Sequence, residues 1–319
     1  MPELVIDQRR RDLGGLQVGR VLPYAQHRKV DAQQLTSGPT SPTSNQRSLG
    51  VGPFIFFDHL GPIDFPPGIP KSVDVRPHPH IGLATVTYLF AGEIMHRDSV
   101  ASQQAIRPGE VNWMVAGQGV THSERFELAR AAGGPIHGIQ SWVALPREAE
   151  ETQPSFAHFE REALPLLEEN GAAARLLAGA ALGLSSPVAS FSPLFYLHWT
   201  LPPGARVKLP AGVAERAAYV VSGQVETAGS ALAPGQMLVY SRSEEAVLQA
   251  KTPAIVMALG GEPVGERFIE WNFVSSSKAR IEQAKADWRA GRMKLPDFDD
   301  GEFIPLPPEP PPPPAGSPL

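Results

Sequence analysis

The sequence predicts an all-β protein of two tandem barrels followed by one C-terminal helix, and three observations carry that expectation. Short runs rich in β-branched and aromatic residues recur at close spacing between turn residues. Thirty glycines and 34 prolines supply the many turns such an arrangement needs. At 319 residues the chain exceeds one ordinary core, and its second half repeats the first in outline.

Taken in order, Leu16 to Val21 reads as a first strand, and the Ser/Thr/Gly/Pro/Gln-rich stretch Gln33–Arg47 as a surface loop. Val51 to Leu60 is an apolar run of buried-strand length. Residues 61–77, with Gly61, Pro62, Pro66, Pro67, Gly68, Pro70 and Pro77, read as a loop. Strands are expected over His80–Phe90, Met95–Val100, Val111–Val115, around His122, and over Ile139–Leu145. Ala91-Gly92-Glu93 and Pro108-Gly109-Glu110 turn the chain between them. The first barrel therefore spans 1–146, a charged connector 147–175, and the second barrel 176–304. A helix over 278–290 is marked by Ser275-Ser276-Ser277 before it, by Ile281, Ala284 and Trp288 at helical spacing, and by Gly291 after it. The proline-rich tail 305–319 should be extended or disordered.

Composition narrows the function. The net charge of −5 and the lack of a dense basic stripe argue against a nucleic-acid partner. With no cysteine in the chain, disulfides, thiolate zinc sites and iron–sulfur clusters are excluded, so any metal must be held by nitrogen and oxygen. The N-terminus lacks the apolar core of a secretory signal, and no apolar run reaches membrane-spanning length. The expectation is a soluble, cytoplasmic monomer that does not engage a membrane.

The candidate ligands are two pairs, His78-Pro79-His80 and His122-Ser123-Glu124. In a strand, residues i and i+2 project from one face, so each pair can point the same way. If the two strands are neighbours, three imidazoles and one carboxylate converge. Such a set leaves two positions open on an octahedral ion and points to activation of a bound molecule rather than to a closed structural site. The repeat offers a control. Anchoring on Ala217–Gly223 against Val86–Gly92, and on Pro234-Gly235 against Pro108-Gly109, pairs His78 and His80 with Leu209 and Ala211. The same anchors pair His122 and Glu124 with Leu248 and Ala250, all apolar.

The run from Arg76 to Glu124 resembles the pirin family of the cupin superfamily. The matching pieces are His78-Pro79-His80, Thr87-Tyr88-Leu89-Phe90 before Gly92, His96-Arg97-Asp98 and Pro108-Gly109-Glu110. Trp113-Met114, Ala116-Gly117-Gln118-Gly119, His122-Ser123-Glu124 and Ile136–Val143 continue it. The Gln33–Arg47 loop and the proline tail depart from the family and touch no ligand strand. The resemblance implies two cupin (double-stranded β-helix, jelly-roll) barrels. The first would hold one first-row divalent ion through His78, His80, His122 and Glu124, iron(II) before nickel, cobalt, manganese, copper or zinc. Some members are similar to quercetin 2,3-dioxygenases, which open a flavonol with O₂ and release carbon monoxide. Others are metal-dependent regulators that bind a protein partner.

The resemblance thus implies a flavonol-like substrate, with Glu124 as ligand and catalytic base. Phe54, Phe56, Trp113 and Gln140 are candidates for the substrate pocket. His96 and Asp98 are read as a structural hydrogen-bonded pair away from the His80 end. His59 and His137 are placed near the pocket mouth or in the barrel wall, and His27, His158 and His198 have no partner in sequence.

Overall fold

Because the strands are short and glycine-punctuated, they close into two barrels that share one plan. The computed structural model describes residues 4–13, 15–24, 50–227, 230–240 and 245–308. The Gln33–Arg47 loop and most of the proline tail lie outside the described residues. In the first barrel the large sheet runs, in spatial order, Ser155–Phe159, Val111–Val115, Leu83–Ala91, Gly134–Ala144, Phe54–Phe65, Leu16–Leu22, Arg9–Leu13. Its small sheet runs Val75–His80, Val120–Arg125, Ile94–Asp98, Gln103–Ile106.

The second barrel repeats this order. Its large sheet is Leu4–Asp7, Gln236–Tyr240, Glu215–Ser222, Ala254–Gly261, Leu194–Leu201, Ala172–Ala181, Leu166–Glu169. Its small sheet is Arg206–Lys208, Val247–Ala250, Val225–Thr227, Ser230–Leu232. No helix among the described residues is long and apolar enough to cross a membrane.

The barrels exchange segments. Leu4–Asp7, from the N-terminal end, pairs antiparallel with Gln236–Tyr240 of the second barrel. Ser155–Phe159, within the stretch expected to be a connector, pairs with Val111–Val115 of the first. Between the large sheets lies a shared core in which Phe54, Val86 and Trp113 meet Tyr196, Tyr219 and Met257. The helix Lys278–Arg289 is capped at Ser277, whose Oγ accepts from the Arg280 amide. It buries Ile281, Ala284 and Trp288 against Ile81 and Phe273, so the helix from the far end of the chain seats on the first barrel. Each large apolar side chain buried there is worth about 1.5–3 kcal/mol.

Two strand expectations change. The Phe54–Phe65 strand continues through Gly61-Pro62, where a loop was expected. A bulge sets those two residues opposite His137 alone, so the ladder loses no bond at proline. The strand expected over His80–Phe90 divides at Ile81-Gly82 into Val75–His80 and Leu83–Ala91. Gly82 has φ +68°, and a Cβ there would lie 2.0 Å from the Val274 carbonyl oxygen. Only glycine allows the C-terminal segment to cross so close.

Strand pairing also moves the repeat alignment. His122 faces His78 and Val120 faces His80, whereas Leu248 faces Val207 and the Leu209 amide bonds the Ala246 carbonyl. Leu209 is therefore the counterpart of His80, and Val207 that of His78, a shift of two residues. Ala211 is exposed and outside the barrel interior. The reason is the longer connection leaving the second barrel's strand, residues 209–214 against 81–82, which anchoring on the later glycines does not see.

Candidate metal centre

Antiparallel pairing of Val75–His80 with Val120–Arg125 brings His78, His80 and His122 together. One ligand nitrogen from each lies within 4.8 Å of the others. All three are buried, at 6%, 1% and 1% exposure, so the sheet presents imidazoles where a core would place apolar side chains.

The hydrogen bonds fix which nitrogen faces inward. His78 Nδ1–H donates to the Arg76 carbonyl at 2.9 Å, leaving Nε2 with its lone pair free. His80 Nε2 and His122 Nε2 stand 3.1 Å apart. Two nitrogens bound about 2.1 Å from one ion at right angles would be roughly 3.0 Å apart, so the spacing fits a shared cation. His80 Nδ1 is turned toward the Asn272 backbone but closes no hydrogen bond of normal geometry. Burial lowers all three from 6.5, His78 to about 4 and the other two well below the usual value. They are neutral at pH 7, the state in which imidazole binds a metal. The donor set fits a first-row divalent ion.

Glu124 follows a register shift after His122 and pairs with Val75. Its carboxylate is outside the group of three and has no hydrogen bond or ion pair among the described residues. Burial raises it from 4.5 to about 7.

His96 and Asp98 form the hydrogen-bonded pair expected from sequence, but they lie against His122 and not away from the imidazole triad. Val120–Arg125 is flanked on its other side by Ile94–Asp98, which sets His96 opposite Glu124 and Asp98 opposite His122. His96 Nδ1 lies 3.4 Å from His122 Nδ1, and His96 Nε2 lies 2.8 Å from Asp98 Oδ2. With His96 Nε2–H donating to the carboxylate, its Nδ1 accepts from His122 Nδ1–H, and His122 Nε2 is left for the ion. Asp98 Oδ1 in turn accepts from the Val100 and Ser102 amides. Such outer partners hold a ligand's tautomer and orientation. The His-Arg-Asp spacing was visible in sequence; its contact with His122 depended on strand order.

The proposed pocket residues divide between two faces. Phe56 stacks on Trp142 at 4.0 Å, and Trp142 meets the edge of His80 at 5.1 Å, so Phe56 is on the metal side. Gln140, two residues before Trp142, shares its face and accepts from Thr87 Oγ1 at 2.7 Å. Phe54 instead packs edge-on to Tyr196 in the seam between barrels. The register shift between Trp142 and Val143 turns it away from Phe56. Trp113 also faces the seam, while its neighbour Met114 joins Phe56 and Trp142. Trp142 is the wall residue the sequence reading missed; its alternation with Gln140 was the available signal.

The remaining histidines lie elsewhere. His59 Nδ1 is 2.8 Å from the Tyr219 hydroxyl of the second barrel, and His59 Nε2 is 2.8 Å from His137 Nε2. His158 Nδ1 meets Asn112, and His198 Nδ1 meets Tyr88. His27 lies outside the described residues.

Comparison with known proteins agrees with this geometry. Residues 34–143 match the family model described as Pirin, and residues 196–294 match the Pirin C-terminal cupin domain. A pirin-like protein of Caulobacter vibrioides is 58% identical over 308 residues, covering 96% of this chain and 100% of that protein. A crystal structure of quercetin 2,3-dioxygenase from Acinetobacter baumannii aligns with TM-score 0.81 at 29% identity, over 97% of this chain and 96% of that one. A bacterial pirin of Escherichia coli in complex with nickel(II) shares the fold, with TM-score 0.60 at 16% identity over 82% of this chain and 100% of that one. With both halves matched in order and the histidine triad in the first, this chain belongs to the pirin family.

Proposed function

We propose that the protein is a metal-dependent dioxygenase that opens quercetin or a related flavonol with O₂. The observation that carries the reading is the buried triad of neutral imidazoles, with two Nε2 atoms at the spacing of a shared ion. The likeness to a solved quercetin 2,3-dioxygenase over nearly the whole chain supports the substrate class. His78, His80 and His122 would hold the ion, with Glu124 as the fourth ligand. Iron(II) is the first choice, and nickel, cobalt, manganese, copper or zinc suit the same nitrogen and oxygen donors. The ion supplies a Lewis acid for the substrate hydroxyl and a partner for O₂.

The chain's own residues do the rest. Glu124 would take the proton of the flavonol 3-hydroxyl; in the metal-free protein its burial raises it to about 7. The flat Phe56–Trp142 stack offers an apolar wall for a planar ring, and Gln140 a polar group beside it. His96 and Asp98 keep His122 in the ligating tautomer.

A second reading, a metal-sensing regulator that binds a protein partner and turns nothing over, draws support from the near-complete burial of the three imidazoles. One experiment separates the two. The protein is reconstituted anaerobically with iron(II), quercetin is added, and the flavonol absorbance is followed on admission of O₂. Loss of the band only with metal is expected, and Glu124→Gln should slow it by about 10²–10⁴-fold. An unchanged band with every first-row ion tried would favour the regulator. Full metal content and full turnover in Glu124→Gln would remove Glu124 as the base.

A further inference from the structure

Away from the metal barrel, a cavity of about 240 Å³ opens at the seam between the two barrels. Tyr88 and Phe90 come from the first barrel, His198 and Thr200 from the second, and Arg161 and Arg175 from the stretch joining them and the strand after it. No residue of the imidazole triad lines it.

Its lining carries a net positive charge. Neither Arg161 nor Arg175 forms an ion pair among the described residues. The Arg175 guanidinium donates only to the backbone carbonyls of Arg161 and Leu164, which fixes it without neutralising it. The Arg161 stem crosses Gly109, where a Cβ would come within 2.8 Å of Arg161 Cδ. Glu168 also lines the cavity, but it is exposed and pairs with neither arginine. Two guanidiniums thus share one small space with one unpaired carboxylate at its edge, an arrangement the fold itself does not require.

The buried end adds a donor. Tyr88 keeps its proton, since burial pushes the hydroxyl up to about 12. With that hydroxyl donating to His198 Nδ1 at 2.7 Å, His198 Nε2 carries the hydrogen and points toward Thr200 Oγ1, 3.5 Å away. Burial, then the charges of Arg175 and Arg161, hold the imidazole neutral at about 4, so both arginine fields converge on it. Phe90 stands edge-on to His198 at 5.3 Å, and Leu89, Pro108 and Ile255 complete apolar walls.

We propose that this seam cavity is a second ligand site, which binds a small carboxylate carried on a planar apolar body. Arg161 and Arg175 receive the carboxylate as charge-assisted donors. His198 Nε2–H and Thr200 add neutral hydrogen bonds, and the ring lies against Phe90 and Ile255. The cavity is below the size that takes a drug-sized molecule, so a single-ring acid is the expected class. Because its walls come from both barrels, occupancy would also tie them together.

The test uses the full chain and benzoate as probe, with benzamide as the neutral isostere and inorganic phosphate as the anion without a ring. Binding is followed by NMR of the arginine Nε–H and histidine side-chain signals. Saturable shifts at Arg161, Arg175 and His198 are expected with benzoate. Affinity should fall about tenfold or more for benzamide, and likewise in Arg175→Gln and in Arg161→Gln. His78→Ala should leave it unchanged. Equal binding of benzamide, shifts confined to the metal barrel, or no saturable shift would overturn the proposal. Phosphate binding as tightly as benzoate would overturn the assignment of an apolar body. Arg161→Gln, on an exposed side chain, keeps the test decisive if Arg175→Gln does not fold.

Discussion

The two barrels have one sheet order and opposite interiors. Where the first carries His78, His80, His122 and Glu124, the second carries Val207, Leu209, Leu248 and Ala250 by strand pairing. The difference extends one strand further. Val225 faces Ala250, as His96 faces Glu124. Continuing that register sets Thr227 against Leu248, where the first barrel has Asp98 against His122. Leu209, Leu248, Ala250, Val225 and Thr227 are all buried, and the interior they line is a single apolar core. The fold therefore closes without any of these polar groups. Their presence in the first barrel is a cost of buried polar surface that folding does not need, and three of them form a group that could hold an ion.

The largest effect that would sharpen this contrast is on metal binding. His122→Leu, which installs the second barrel's residue, should abolish stoichiometric metal uptake and leave the circular-dichroism spectrum of a folded protein. Stoichiometric uptake by this variant would break the comparison. Next comes packing. Leu248→Ala should cost about 2–5 kcal/mol in a denaturant titration, because it opens a cavity in a closed apolar core. His122→Ala in the metal-free protein should cost less, since burying a polar imidazole gains less than burying a leucine in a closed apolar core. If the two costs are equal, the first barrel is packed as a core and not as a site.

Asp98→Asn should weaken metal affinity by about 10–100-fold while keeping one ion per chain at saturation, as measured by competition with a chelating dye. An unchanged affinity would return His96 and Asp98 to a structural role.

Titration gives the smallest expected effect. Burial lowers His78 and His198 to about 4 and His59 to about 3, from 6.5. The unfolded chain then binds more protons below pH 6.5, so stability falls as pH drops toward 4. Glu124, raised from 4.5 to about 7, acts in the opposite sense, and its contribution grows as pH falls from 7 to 4.5. In the metal-free protein, Glu124→Gln should therefore steepen the loss of Tm between pH 7 and 5. An unchanged slope would mean that the carboxylate titrates as in water.

Sequence carried the convergence of His78 and His80 because i, i+2 spacing is a local property of a strand, and the repeat because its turn glycines recur. What it could not carry depended on which strands become neighbours. His96 and Asp98 join the site only because Ile94–Asp98 lies beside Val120–Arg125. Leu4–Asp7 closes the edge of the second barrel from the opposite end of the chain. Phe54 and Phe56 share a face by simple alternation, yet a register shift sends Phe54 into the seam. The helix seat on Ile81 was likewise a long-range choice that its own amphipathic pattern left open.

The most direct test of the two-barrel account is the metal content of the chain against a variant in which the first barrel takes the second barrel's residues, His78→Val, His80→Leu and His122→Leu together. After anaerobic loading and desalting, elemental analysis should find one ion per chain in the unaltered protein and none in the variant, whose metal-free Tm is unchanged or higher. A variant that still holds an ion, or one that fails to fold, would contradict the claim that these residues serve the metal and not the fold.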